Sequence, residues 1–290
     1  PCILAMPSRG SAVIIAALFA AVLAAGCTGG PDRREEKMKT EEKTVTVKNT
    51  EMFYRTRGNG PPVVFVHGNT GSSVWFSKVM DIPGHTIYAP DLPNFGNSGQ
   101  IDTTDIDLYA DYLKGWMDTL GLKNPVVLGH SLGGAVVISL AVRYSETVKK
   151  LVLVDSAPLS GLKTPEEHYP VIEQYKTNRD LMKQALASIV PTLEDEEFLE
   201  KLTDSAMKMN PIAYTGNARA LERFDYQGRG DEYTGPVLVL VGEKDILISE
   251  EMGRKTAEAF PKGEFRLLEG VGHSIMVEAP DTFKQIVEEL

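Results

Sequence analysis

Gly129-His130-Ser131-Leu132-Gly133 constrains this chain more than any other short segment. It follows directly on the apolar run 125–128 (PVVL) and leads directly into 132–143, a helical stretch rich in Ala and Val. A strand that becomes a helix within one residue crowds its own backbone. The flanking positions must be small, and glycine fits best. Such a turn lifts the serine hydroxyl above the sheet edge, where the amides and dipole of the new helix favour negative charge. The bare pattern G-x-S-x-G says little. Set between a buried strand and a helix, it specifies an exposed and reactive serine.

The other apolar runs supply the sheet that this turn requires. PVVFV (62–66), HTIYA (85–89), LVLV (151–154) and PVLVLV (236–241) are short, β-rich and continuous, as in parallel strands buried on both faces. Residues 44–48 and 52–57 are further strand candidates, and 264–268 another near the C-terminus. Ile106, Tyr109, Leu113, Trp116, Met117 and Leu120 recur at helical spacing. Strands alternating with helices imply an α/β fold with a mostly parallel sheet flanked by helices. The rhythm breaks once. Between Asp155 and Pro236 no strand candidate appears, and 179–190 and 194–209 read as amphipathic helices. Residues 159–233 are therefore expected to form a helical cap inserted in a core of 44–158 and 234–290.

A serine hydroxyl is a poor nucleophile until a base takes its proton. The chain has five histidines. His67 and His130 sit in motif positions that shape backbone, His85 opens a strand, and His168 falls in the cap. His273 remains, on the glycine-flanked loop Glu269-Gly270-Val271-Gly272-His273-Ser274. The base in turn needs a carboxylate to fix its tautomer and stabilise its imidazolium form. Asp245, directly after VLVLV in Gly242-Glu243-Lys244-Asp245, is the first candidate. Asp155, at the end of LVLV, is its rival. The oxyanion of an acyl transfer needs preorganised amides. Leu132, next to the serine, supplies one, and Asn69 in His67-Gly68-Asn69-Thr70-Gly71 is the expected second.

VVFVHGN, APDLPNFGNSG, VVLGHSLGGA, LVLVGEKD and EGVGHS, in that order, resemble the α/β-hydrolase fold over roughly residues 44–290. The group resembled includes esterases, cofactor-free haloperoxidases, haloalkane dehalogenases and C–C bond hydrolases. The resemblance implies a Ser131–Asp245–His273 triad, since the chain order Ser, Asp, His is the one this fold uses. It also implies a structural role for Asp91. Haloalkane dehalogenases and epoxide hydrolases use an aspartate where this chain has Ser131, so an acyl-enzyme is expected here and an alkyl-enzyme is not.

The N-terminus reads as an address. Arg9 precedes the uncharged run 12–25, which is short for a transmembrane span. Leu23-Ala24-Ala25-Gly26-Cys27 resembles the lipobox of bacterial-type lipoproteins, with the leucine one place further from the cysteine than is usual. Residues 1–26 are thus expected to be a signal peptide, with Met6 as the true start, and Cys27 a lipidated first residue. Residues 27–43 form a charged tether. The protein is expected outside the cytoplasm, anchored to a membrane through Cys27. Both cysteines, Cys2 and Cys27, precede the body, which therefore has no disulfide, thiolate nucleophile or cysteine-based zinc site. A net charge of −10 argues against nucleic acid as a partner.

The expected activity is that of a serine hydrolase on small or medium uncharged esters or lactones, with no cofactor and no metal. C–C bond hydrolysis or haloperoxidase-like chemistry with the same triad is the alternative. A non-catalytic ligand-binding member of the fold is a third reading, disfavoured because all three catalytic residue types are present.

Overall fold

Residues 38–290 are described by the computed structural model, and their sheet follows the apolar runs of the sequence. Eight strands are present among them: β1 (Glu41–Val47), β2 (Thr50–Gly58), β3 (Pro62–Val66), β4 (Thr86–Pro90), β5 (Val126–His130), β6 (Lys150–Val154), β7 (Val237–Gly242) and β8 (Gly263–Leu268). They lie in the order β1-β2-β4-β3-β5-β6-β7-β8. β2 runs antiparallel to β1 and β4, and every pairing from β4 to β8 is parallel. The central strands β5 and β7 are buried at every residue, the state their unbroken apolar character demands. β1 opens at Glu41, three residues ahead of the strand expected from Thr44. Cross-strand pairing extends it, with Glu42 opposite Arg55 and joined to it as an ion pair at 2.9 Å.

Helices α1 (Ile106–Thr119) and α2 (Leu132–Arg143) pack on each other beside the sheet. α2 has no charged residue before Arg143 and is buried from Leu132 to Val142. A helix apolar on all sides belongs in a core. Between β6 and β7 come four helices, α3 (Tyr169–Gln174), α4 (Arg179–Ile189), α5 (Glu196–Ala206) and α6 (Ala213–Arg223). α7 (Glu250–Glu258), α8 (Ile275–Glu278) and α9 (Pro280–Glu288) complete the core.

The inserted region is helical throughout. α4 and α5 pack through Met182, Leu186, Phe198, Leu199 and Leu202, all buried, while Arg179 and Lys183 bridge to Glu196, Glu200 and Asp204 outside. α6 is amphipathic, but its buried face is mostly small: Ala213, Tyr214, Asn217, Ala218, Ala220 and Leu221. Gly216 lies so close to Thr104 that a Cβ there would sit 2.6 Å from its hydroxyl, and Asn217 is fully buried. No helix among the described residues is long and apolar enough to cross a membrane. The proposed leader 1–26 and Cys27 lie outside the described residues.

Because β3 to β8 are parallel, their C-terminal ends share one sheet edge. The loops after β3, β5, β6, β7 and β8 therefore emerge together, in the place where open α/β sheets carry their sites.

Candidate active site

Ser131 occupies the turn between β5 and α2 with φ 54° and ψ −119°. A non-glycine residue in this region is strained, and such strain concentrates at functional positions. The neighbouring glycines make the turn possible. A Cβ on Gly129 would lie 2.4 Å from the Gly133 carbonyl oxygen, and one on Gly133 would lie 2.3 Å from that of His67. Ser131 accepts from Gly134 and Ala157 through its carbonyl and donates its amide to Val154. Its backbone is thus fixed on three sides, while its hydroxyl caps nothing.

His273 and Asp245 meet at this edge. His273 Nδ1 lies 2.7 Å from Asp245 Oδ2, and both side chains are almost wholly buried. Asp245 Oδ1 accepts the amides of Leu247 and Ile248 at 2.7 and 3.1 Å. Burial alone would raise the Asp245 pKa. The hydrogen bond and charge of His273 and the two amides outweigh it and hold the carboxyl below its usual range. Asp155, the rival, is fully buried on the loop after β6. Its Oδ1 accepts from the Gly242 amide at 2.8 Å. The structure thus places Asp245, not Asp155, against the imidazole.

His130 ties the serine turn to the histidine loop. Its Nε2 lies 2.8 Å from the His273 carbonyl oxygen and 3.2 Å from Ser274 Oγ. Burial and the nearby His273 push the His130 pKa down to about 3, so the ring is neutral and Nε2–H donates to the carbonyl. His67 is also buried, with its pKa lowered chiefly by desolvation, and its Nε2 accepts from the Leu92 amide at 3.0 Å. Asp91 accepts from the amides of Ser73 and Asn97, a purely structural set of contacts.

The loop after β3 closes over the serine. A Cβ on Gly68 would come within 2.8 Å of Ser131 Cβ. The amides of Asn69 and Leu132 have no backbone or side-chain acceptor among the described residues. The Asn69 side chain is engaged: its Oδ1 accepts from Asn217 Nδ2 of α6 at 2.9 Å. Asn217 Oδ1 accepts in turn from the Tyr109 hydroxyl.

Three contacts to the histidine loop lay beyond sequence reasoning. The His273 amide donates to the Ile189 carbonyl at the end of α4. Glu278 accepts from the Gly272 and Ser274 amides, on either side of His273. The same carboxylate accepts from the Thr192 amide and hydroxyl in the inserted region. The nearest sequence signal was an acid five residues after the histidine. Asp155, Asp245 and His273 bring one ligand atom each within 4.8 Å of one another, the only such trio found among the described residues. Two of those atoms are spent on each other in the His273–Asp245 contact.

Comparison with known proteins agrees with this geometry. The family model described as "Alpha/beta hydrolase family" matches residues 63–286. Lipase 3 of Moraxella sp. (strain TA144) is 28% identical, covering 91% of this chain and 92% of its own. A 2-hydroxy-6-oxononadienedioate/2-hydroxy-6-oxononatrienedioate hydrolase of Pseudomonas sp. is 28% identical, covering 82% of this chain and 91% of its own. Among solved structures, an esterase from Exiguobacterium antarcticum superimposes with a TM-score of 0.79 at 19% identity, covering 86% of this chain and 98% of its own. Sheet order, inserted helices, serine turn and buried His–Asp pair all accord with one conclusion: the chain belongs to the alpha/beta hydrolase family.

Proposed function

We propose that the protein is a serine hydrolase of small or medium uncharged carboxylic esters or lactones. Ser131 is its nucleophile, His273 its base and Asp245 the acid that orients the base. One observation carries the reading: a serine at positive φ heads a buried helix beside a buried His–Asp pair. With Nδ1 donating to Asp245, His273 Nε2 is left to take the Ser131 proton as Oγ attacks the ester carbonyl. The amides of Asn69 and Leu132 stabilise the oxyanion, each good donor worth about 3 kcal/mol. The imidazolium then returns its proton to the leaving alcohol, and an acyl-enzyme remains. Water, deprotonated by the same base, releases the acid. The inserted helices 159–233 act as a cap whose apolar side chains roof the pocket and favour uncharged acyl groups.

A panel of nitrophenyl esters of graded acyl length tests this, with Ser131→Ala as control. Turnover should peak at short or medium acyl chains. It should vanish with covalent fluorophosphonate labelling in the variant. An optimum at long-chain triglycerides, or labelling that survives the substitution, would refute the reading. The Pseudomonas relative motivates one alternative, hydrolysis of a C–C bond in a diketone by the same triad. Turnover of a vinylogous diketone in preference to every ester would favour it.

The reading extends to the N-terminus. Residues 1–26 are a signal peptide, Cys27 carries lipid, and the charged segment from there to β1 links the enzyme to the outer face of a membrane. A diacylglycerol with an N-acyl chain holds firmly where one chain alone does not. Mass spectrometry of the mature N-terminus decides this, and an unmodified Cys27 refutes it.

A further inference from the structure

The buried trio at the sheet edge holds two carboxyl groups and one imidazole. Asp245 and His273 account for each other, which leaves Asp155 unexplained. Asp155 is fully buried, with φ 45°, a left-handed backbone that is costly for a residue other than glycine. Its amide donates to the Leu240 carbonyl and its Oδ1 accepts from Gly242, so two bonds to β7 hold it in that conformation. Its Oδ2 is buried without any hydrogen-bond donor in reach. A buried carboxylate oxygen with no donor is costly, whereas the same oxygen bearing a proton needs only an acceptor. The Asp245 carboxylate, one atom of which lies within 4.8 Å of an Asp155 oxygen, is the acceptor at hand.

Counting charges leads to the same place. The titratable groups facing Asp155 are Asp245 from the loop after β7, His273 from the loop after β8 and Glu278 from α8. Only His273 among these can be positive. Two buried carboxylates beside one imidazole cannot both ionise. Asp245 has two amides and the imidazole to stabilise its charge, while Asp155 has a single amide. The charge therefore settles on Asp245.

We propose that Asp155 is a positioning residue for this site: it is held as the neutral acid and donates a hydrogen bond from Oδ2 to the Asp245 carboxylate that orients His273. Desolvation first, and the neighbouring Asp245 charge second, raise its pKa well above the usual carboxylate range, in keeping with that role. The proposal rests on the triad assigned above.

Two substitutions separate this role from a merely structural one. Asp155→Asn keeps an acceptor for Gly242 and puts an N–H donor where the acid proton was. Asp155→Leu fills the space without either. The Asn variant should keep kcat within about threefold of the parent, and the Leu variant should lose at least about tenfold in kcat with KM little changed. An Asn variant as impaired as Leu, or a Leu variant with parental kcat, overturns the proposal. The proton itself is read without any assay of activity, from Tm against pH for the parent and the Asn variant. In the folded parent Asp155 keeps its proton above about pH 4, where the unfolded chain has lost it, so the parent loses stability as pH rises through that window. The Asn variant bears no such cost. Its Tm relative to the parent should climb between about pH 4 and neutrality, and a constant difference overturns the proposal. A parent inactive on esters would overturn the functional reading and leave this second measurement intact.

Discussion

The backbone amide of His273 donates to the carbonyl of Ile189, 3.0 Å away, so the proposed base hangs from the last turn of α4. The inserted helices are therefore tied directly to the loop that carries His273. Replacing 162–232 with a short loop should slow fluorophosphonate labelling of Ser131 by at least about tenfold, because the imidazole loses its backbone anchor. A shortened insertion that keeps 179–192 should label at nearly the parental rate. Equal labelling by both variants would show that the anchor does not matter.

Glu278 is the second fastening. Its carboxylate gathers four donors, the amides of Gly272, Ser274 and Thr192 and the Thr192 hydroxyl. Hydrogen bonds to a charged acceptor are the stronger kind, and partial exposure moderates them here. Glu278→Ala should lower stability by about 2 kcal/mol and kcat by about tenfold, with Glu278→Gln between it and the parent. Urea denaturation and steady-state kinetics check the two effects separately.

Asn217 links the inserted helices to the loop that carries the Asn69 amide. It is fully buried, and Asn217→Ala would remove the acceptor of the Tyr109 hydroxyl proton and the donor to Asn69 Oδ1 together. A loss of about 2 kcal/mol in stability is expected. If the loop also shifts, affinity for a boronic acid mimic of the tetrahedral intermediate should fall more than affinity for a product acid. Equal losses for the two ligands would confine Asn217 to stability.

Asp245 carries a pH signature. Its folded pKa lies below the unfolded value, chiefly because the His273 bond outweighs the cost of burial. Its contribution to stability is therefore present above about pH 4 and is lost as pH falls through the lower folded value. Asp245→Asn should cost kcat orders of magnitude at neutral pH by favouring the wrong tautomer. Its Tm deficit against the parent should shrink as the solution is acidified below about pH 4. A deficit independent of pH would contradict the assignment of charge.

Ser131 stores strain. Glycine tolerates φ 54° without a Cβ penalty and gives back part of that gain through its freer unfolded chain. Both Ser131→Ala and Ser131→Gly should be inactive, and the glycine variant should be the more stable by about 1 kcal/mol. Equal stability of the two would mean that the turn is relaxed.

The elements that the sequence disclosed are those written in contiguous residues. β5, Ser131 and α2 form one uninterrupted segment, so composition and spacing sufficed. Asp245 and His273 each follow a strand, and the structure brings them to 2.7 Å. The resemblance favoured Asp245 over Asp155, but the physical difference between them lies in three dimensions: both follow buried neighbouring strands, and their oxygens meet different partners. Glu278, Ile189, Thr192 and Asn217 were not legible. Ile189 reaches His273 across 84 positions of sequence, Thr192 reaches Glu278 across 86, and Asn217 reaches Asn69 across 148, while the local bonds of Glu278 to Gly272 and Ser274 carry no sequence signature. α6 was blurred because its buried face is built mostly of alanines and Asn217, with Leu221 its one large aliphatic side chain.

The position of the inserted helices within the chain has a kinetic consequence. β6 pairs in parallel with β7, yet the entire insertion separates them in sequence. Closing so long a loop costs entropy before any strand contact repays it, and non-local parallel pairing is slow. On a chain synthesised from its N-terminus, β5, Ser131 and β6 are made before the segments that carry Asp245 and His273. The serine is thus synthesised well before its proposed proton acceptor. With the proposed triad, reactivity requires the loops after β7 and β8 in place, so gain of covalent labelling would time their docking.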